Sequence, residues 1–473
     1  MVLFNFKWAG VLSLIILQLI QGCVSMIDVY PRVRSVPVTG DPGQPLFLTP
    51  LIESGNITAA KAAARVGRLE GAEGIESYSG YLTVNKNLNS NLFFWFFPAE
   101  VKAATAPVLL WLQGGPGASS LFGLFGENGP FYVSKRNTLK RRKYAWTSSN
   151  SVIYIDNPVG TGFSFTESDD GYARNETAVG EDLYCALQQF FRLFPELQKN
   201  DFYITGESYA GKYIPALGYA IHTKNPNATL KINMQGMAIG NGLSDPENML
   251  LYGDYLYQLG LIDLNARDLF HQKEALTRKY IQARQWKKAF QVFDTLLNGD
   301  LSQNGTLFSN LTGLKSYYNY VSADGRRRGG DSDLYVQGAA VRRALHVGGR
   351  PYNDGRAVER HLEEDVMRSV RPWVEELLEH HRIVTYNGQL DVIVAYPLTL
   401  GYLQALRWSA SPAYRTAPRY QWHVGRELAG YVKHAGHLTE VLVRDAGHMV
   451  PADQPRWALD LITRFTSEKA FAP

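Results

Sequence analysis

Cysteine is almost missing from this sequence: Cys23 and Cys185 are the two in 473 residues. Cys23 falls in a leader-like stretch, so a processed chain keeps Cys185 alone and cannot close an internal disulfide. The spacing of EDLYCALQQFF predicts a helix with the Cys185 thiol buried in the core. An excess of charge is missing too. The formal net charge is +4, small for this length and spread along the chain, which suggests neither nucleic acid nor an acidic membrane surface as a partner. Past residue 25 no apolar run is long enough to span a bilayer, so no stable membrane anchor is expected. Internal repeats and low-complexity tracts are absent, which excludes a repeat architecture.

What is present points to a large globular chain in the secretory pathway. Residues 1–25, MVLFNFKWAGVLSLIILQLIQGCVS, combine a lysine, an apolar run from Val11 to Ile20 and small residues near Ser25, the plan of a signal peptide. Five N-x-S/T triplets, at Asn56, Asn175, Asn227, Asn304 and Asn310, are candidate glycosylation sites. A secreted or a lysosomal/endosomal protein is expected.

Short apolar runs alternate with amphipathic stretches, which predicts a mainly parallel sheet covered by helices. The candidate strands are Leu92–Phe97, Val108–Leu112, Val152–Ile155, Phe202–Thr205, Gly236–Ile239, Ile383–Tyr386 and Glu440–Val443. YSGYLTV and NLFFWFF, joined by NKNLNSN, read as an antiparallel hairpin at the sheet edge. Between Asp245 and about Leu345 long helical patterns replace the alternation. The expected order is a signal peptide (1–25), an N-terminal segment (26–75), a first part of the core (76–244), a helical insertion (245–345) and a second part of the core (346–473). Two basic clusters, KRRK at 140–143 and RRR at 326–328, read as solvated loops, the second also as a protease-sensitive site.

The strand DFYIT followed by GESYAGKY is the context for a serine on a sharp strand-to-helix turn, with Gly206 and Ala210 as small flanking residues. A serine hydroxyl is a poor nucleophile until a histidine takes its proton, and the histidine needs an acid to set its tautomer. Downstream strand ends offer Asp391 in NGQLD and His448 in AGHMVPADQP, so Ser208, Asp391 and His448 are the candidate triad. His380 and His381 fall in a charged helical stretch, His222 at a helix end, and His434 and His437 in a glycine-containing loop. HAGH at 434–437 lacks a third ligand, so no metal is expected. An oxyanion needs backbone N–H groups, one from Tyr209 and a second from the loop at Gly114 and Gly115. No G-K-[ST] follows those glycines, which excludes a phosphate loop. Glu207 is the anomaly, since a carboxylate beside the nucleophile opposes oxyanion formation.

In order, WLQGGPGASS, GENGPF, IDNPVGTGFS, GESYAGKY, NGQLD and AGHMVPADQP resemble the serine carboxypeptidase family across nearly all of the chain after residue 75. Within it, AIGNGLSDPENM and ALHVGG resemble the vitellogenic-like carboxypeptidases. The resemblance implies an α/β-hydrolase fold with a helical insertion, no cofactor, and release of C-terminal residues from peptides or proteins with a free C-terminus by way of an acyl-enzyme. It implies Ser208, Asp391 and His448 as the triad and the N–H groups of Gly115 and Tyr209 as the oxyanion hole. It also implies that Gln113, Gly114, Glu127 and Glu207 bind the terminal carboxylate. Two glutamic acids sharing a proton can donate to that carboxylate, which accounts for Glu207 and predicts a preference for acidic pH. The chain departs from the family in carrying Gln113 where many members have Asn, and in lacking the family's disulfides. An acyltransferase of the same fold and a non-catalytic protective or scaffold protein are the competing readings. The oligomeric state is left open, a homodimer included.

Overall fold

A computed structural model describes residues 33, 36–300, 305–322 and 331–471. The candidate signal peptide, Asn304 and the RRR cluster lie outside the described residues. Ten strands form one sheet: β1 (Tyr78–Asn85), β2 (Ser90–Phe97), β3 (Val108–Leu112), β4 (Ser151–Ile155), β5 (Phe202–Glu207), β6 (Met234–Gly240), β7 (Arg382–Gly388), β8 (Arg419–Val424), β9 (Glu427–Ala435) and β10 (Leu438–Val443). Their order across the sheet is β1-β2-β4-β3-β5-β6-β7-β10-β9-β8. The central run from β4 to β10 is parallel throughout.

Strands covered on both faces need apolar side chains pointing both ways, which is why β3 is apolar throughout and β4 and β5 are apolar over most of their length, all three being buried from end to end. One face carries Leu110, Ile204 and Met237 against α1 (Glu176–Leu193), α2 (Ala210–Lys224) and α5 (Arg371–His380). The other carries Leu109, Tyr203 and Val384 beneath α6 (Pro455–Thr466). The helices that replace strands after Asp245 include α3 (Leu264–Gln282) and α4 (Trp286–Phe293). They break at Arg284, whose φ of 54° cannot continue a helix.

The β1–β2 hairpin occupies one edge, as expected. The opposite edge differs from expectation. There β8 and β9 add an antiparallel hairpin closed at Gly425 (φ 66°), so His434 lies on β9 and only His437 is in a turn. The sequence hides β9 because Gly430 interrupts its alternation. Gly430 is small because a Cβ there would meet the Leu442 carbonyl oxygen at 1.9 Å. Cys185 is also corrected: it is half-buried rather than a core thiol, and burial holds its pKa up. The KRRK cluster is not simply a solvated loop, since Leu139–Arg141 pairs with Phe131–Val133 and Arg142 is half-buried.

Candidate active site

Ser208, Asp391 and His448 come from the carboxyl ends of three strands, β5, β7 and β10. Ser208 follows β5 directly with φ 63°, the sharp turn that the flanking small residues anticipate. A Cβ on Gly206 would meet the Leu112 carbonyl oxygen at 2.2 Å and the Ala210 Cβ at 3.0 Å. Glycine at 206 is therefore what makes room for alanine at 210. The turn is pinned by the Ser208 N–H donating to the Gly240 carbonyl at 3.0 Å, and by Leu243 N–H donating back to the Ser208 carbonyl at 2.9 Å.

Asp391 Oδ2 pairs with His448 Nδ1 at 2.9 Å and accepts from Asn241 Nδ2 at 2.7 Å, while Oδ1 accepts from the Ile393 N–H at 3.1 Å. Both side chains are fully buried. The carboxylate is thus saturated with donors and fixes the Nδ1–H tautomer of the ring. That leaves Nε2 as the basic nitrogen, and among the described residues it has no hydrogen-bond partner. Such hydrogen bonds commonly tighten only with substrate in place. Asp453, the sequence neighbour of His448, instead accepts the Gly447 N–H at 2.7 Å. The Tyr318 ring stacks on the imidazole at 5.1 Å, and the Tyr318 carbonyl accepts the His448 N–H. This strap comes from the largely helical segment between β6 and β7. Nothing in its linear pattern, KSYYNYV, distinguishes Tyr318 from its aromatic neighbours.

Gly114 lies against the serine turn so closely that a Cβ would meet the Tyr209 nitrogen at 2.5 Å and the Ser208 Cβ at 2.7 Å. Gly115 follows with φ 117°. Neither the Gly115 nor the Tyr209 N–H donates a backbone hydrogen bond among the described residues. The loop is locked from behind by Asp156, whose Oδ1 accepts from Ser119 Oγ at 2.5 Å and Ser120 N at 3.1 Å while Oδ2 accepts Phe163 N at 2.8 Å.

Gln113, Glu127 and Glu207 form one buried cluster beside this turn. The Trp111 indole N–H, which can only donate, binds Gln113 Oε1 at 2.9 Å, so the Gln113 amide must present its NH2 to the acids. It donates to Glu207 Oε1 at 2.7 Å and to Glu127 Oε1 at 3.2 Å. A Cβ on Gly123 would meet the Trp111 Nε1 at 2.1 Å, so glycine there admits the indole. The longer reach of Gln over Asn is absorbed by this brace. The two carboxyls lie against each other, and neither Oε2 has a hydrogen-bond donor among the described residues. With both ionised, two buried negative oxygens would face each other without a donor, so the pair holds a proton. Burial raises Glu127 to about 7, against the opposing pull of Glu207, Gln113, His448 and Arg142. Burial, then the Glu127 charge, raises Glu207 well above the usual range. Arg142 reaches this region from KRRK, donating to the carbonyls of Gly129 and Phe125 on the loop that carries Glu127.

A second buried cluster lies directly behind Tyr209 and is invisible in the sequence. Lys212 Nζ donates to Asp365 Oδ2 at 2.6 Å, and the Tyr209 hydroxyl donates to the same carboxylate at 3.3 Å. Glu176 is buried in the same cluster, and burial, then the Asp365 charge, raises its pKa well above normal.

Burial also raises Asp156 and Asp182 to about 7. A carboxyl held above its unfolded value of about 4 binds its proton more tightly in the native chain, so its contribution is complete at low pH and lost as pH rises toward 7. Thermal stability is therefore expected to decline as pH rises from about 4 to about 7, so that it is lower at pH 8 than at pH 5 by on the order of a few kcal/mol. Melting curves across that range check this, and a midpoint that climbs between pH 5 and pH 8 would refute it.

The family model described as serine carboxypeptidase matches residues 68–468. The chain is 56% identical over 450 residues to a venom serine carboxypeptidase of Apis mellifera, covering 94% of this chain and 96% of the relative. It is 46% identical over 474 residues to the probable serine carboxypeptidase CPVL of Homo sapiens, covering 98% of each. To a vitellogenic carboxypeptidase of Aedes aegypti it is 50% identical over 432 residues, covering 90% of this chain and 91% of the relative. The crystal structure of Kex1(Δ)p, a prohormone-processing carboxypeptidase from Saccharomyces cerevisiae, superimposes with a TM-score of 0.75 at 24% identity, covering 86% of this chain and 96% of that one. That likeness carries the α/β-hydrolase fold, and the extended identities carry the family: this chain belongs to the serine carboxypeptidases.

Proposed function

We propose that Ser208 attacks the last peptide bond of a substrate held by its free C-terminus, with His448 Nε2 taking the hydroxyl proton. Asp391 keeps the imidazole in the Nδ1–H tautomer and stabilises the imidazolium. The carbonyl oxygen becomes an oxyanion between the N–H groups of Gly115 and Tyr209, the proton passes to the leaving amine, and water then hydrolyses the acyl-enzyme. The observation that carries the reading is the fully buried Asp391–His448 pair at 2.9 Å with an unpartnered Nε2, on the strand end next but one to that of Ser208.

Selection of the chain end falls to the Gln113–Glu127–Glu207 cluster, with the Gly114 backbone beside it. A shared proton lets the acids donate to a carboxylate, and the Gln113 NH2 holds them together. Once pH passes about 7 the Glu127 proton is lost and the pocket repels the substrate anion. Catalysis on peptides is therefore expected to fall from acidic to neutral pH. Glu207→Gln should flatten that profile for a free-acid peptide and alter hydrolysis of its C-terminally amidated twin much less. Matched changes on both substrates in parallel pH–rate profiles would refute the carboxylate role.

The described sequon asparagines, Asn56, Asn175, Asn227 and Asn310, are all exposed, as glycan attachment in the secretory pathway requires. Among the described residues no helix is long and apolar enough to cross a membrane. Both observations support a secreted or lysosomal/endosomal protein.

A further inference from the structure

At the end of α2 remote from Ser208, two histidines and a glutamate converge. His222 lies in the last turn of α2, and Glu376 and His380 sit one turn apart on α5. One ligand atom from each lies within 4.8 Å of the others. We propose that His222, Glu376 and His380 bind a divalent transition-metal ion of the zinc type, clamping α2 to α5.

The geometry supports a metal in three ways. First, both imidazoles aim the same nitrogen at one oxygen: His222 Nε2 is 4.0 Å and His380 Nε2 3.7 Å from Glu376 Oε1. Ligands about 2.0–2.1 Å from a tetrahedral zinc stand roughly 3.3 Å apart, so ligand atoms that lie within 4.8 Å of one another must draw together by up to about 1.5 Å, within the reach of side-chain rotation at a surface site. Second, the two rings are already neighbours, with centroids 4.7 Å apart and planes 23° apart, and turning one of them out of the stack about its Cβ–Cγ bond brings both Nε2 lone pairs toward one point. Third, the His222 tautomer is set from behind. His381 bonds the Met234 backbone carbonyl, which makes its Nε2 the acceptor toward His222 Nδ1 at 3.4 Å. His222 then carries its proton on Nδ1 and turns the Nε2 lone pair to the cluster, the second-layer support that metal-binding histidines use.

The donor set also selects the ion. Two imidazoles and a single carboxylate suit zinc or its transition-metal neighbours, whereas calcium and magnesium demand more oxygen ligands. The side chains of His222, Glu376 and His380 are 26%, 53% and 49% exposed, so the ion has an open path and water completes the coordination. From Ser208 the site is about 20 Å away, the length of α2. Its action is on helix packing, independent of the serine chemistry.

Isothermal titration of the EDTA-stripped, untagged mature chain with zinc chloride at pH 7 tests the site, with melting curves in parallel. The expected result is one saturable zinc per chain and a rise in melting temperature on zinc addition. His222→Ala and His380→Ala should each weaken affinity by at least about tenfold and abolish the thermal shift, while Glu376→Gln weakens binding less. All three side chains are at the surface, so the variants should fold, and their metal-free melting curves verify it. Absence of saturable uptake, or uptake with unchanged affinity in either histidine variant, overturns the proposal.

Discussion

Ser208→Ala should lower kcat on peptides by a factor of about 10⁴ or more while leaving the fold intact. Chemically, Ser208 carries the hydroxyl on the turn after β5 and the neighbouring Tyr209 hydroxyl is committed to Asp365, so alanine at 208 removes the attacking oxygen without a substitute beside it. Structurally, the turn is held by backbone bonds to Gly240 and Leu243, which alanine keeps, and the φ of 63° strains serine and alanine alike. His448→Ala should cost a similar factor, and the double variant little more, because the two residues act as one unit. The checks are release of the C-terminal residue from a peptide at pH 5, covalent capture of a fluorophosphonate by intact mass, and a thermal melt. The native chain should gain one adduct that the Ser208→Ala chain lacks. Labelling of the native chain without release of residues would point to acyl transfer. Hydrolysis within tenfold of native in the alanine variant would end the triad assignment.

The legible parts of this molecule are those in which one local rule decides the outcome. A strand buried on both faces must be apolar throughout, so Val108–Leu112 reads with its correct bounds. A serine turn needs small neighbours, and Gly206 and Ala210 provide them. Parts that depend on distant partners are not legible. Strand β9 alternates imperfectly because Gly430 yields to Leu442 of the adjacent strand. Arg142 reads as one of four basic residues in a loop, yet its burial against Phe125 and Gly129 follows from the path of residues 124–131. The direction of the Gln113 amide follows from an indole two residues away, which a search for motifs ignores. Asp391 and His448 read as partners because strand ends in an open parallel sheet all point to one edge, and the structure brings the two side chains to 2.9 Å.

The cluster behind Tyr209 has a large consequence for stability. Lys212 and Asp365 have side-chain exposures of 0% and 4%, and the ammonium also donates to the Asp365 and Val366 carbonyls. Two desolvated charges satisfied this way are tolerable together and costly apart. Lys212→Met should therefore destabilise the chain by about 3–5 kcal/mol, because the Asp365 carboxylate is left buried next to Glu176. The loss should also reach the chemistry. Lys212 stands in the first turn of α2 and Tyr209 shares its carboxylate, so the N–H proposed to bind the oxyanion loses its anchor. Removing both charges tests this against a simple packing defect. A Lys212→Met, Asp365→Leu chain leaves no stranded ion and should recover most of the lost stability in urea titrations, without regaining full kcat because the Tyr209 hydroxyl has lost its acceptor. A single variant costing under about 1 kcal/mol, or a double variant no more stable than Lys212→Met, would mean that the pair is not the buried ionic brace its geometry indicates.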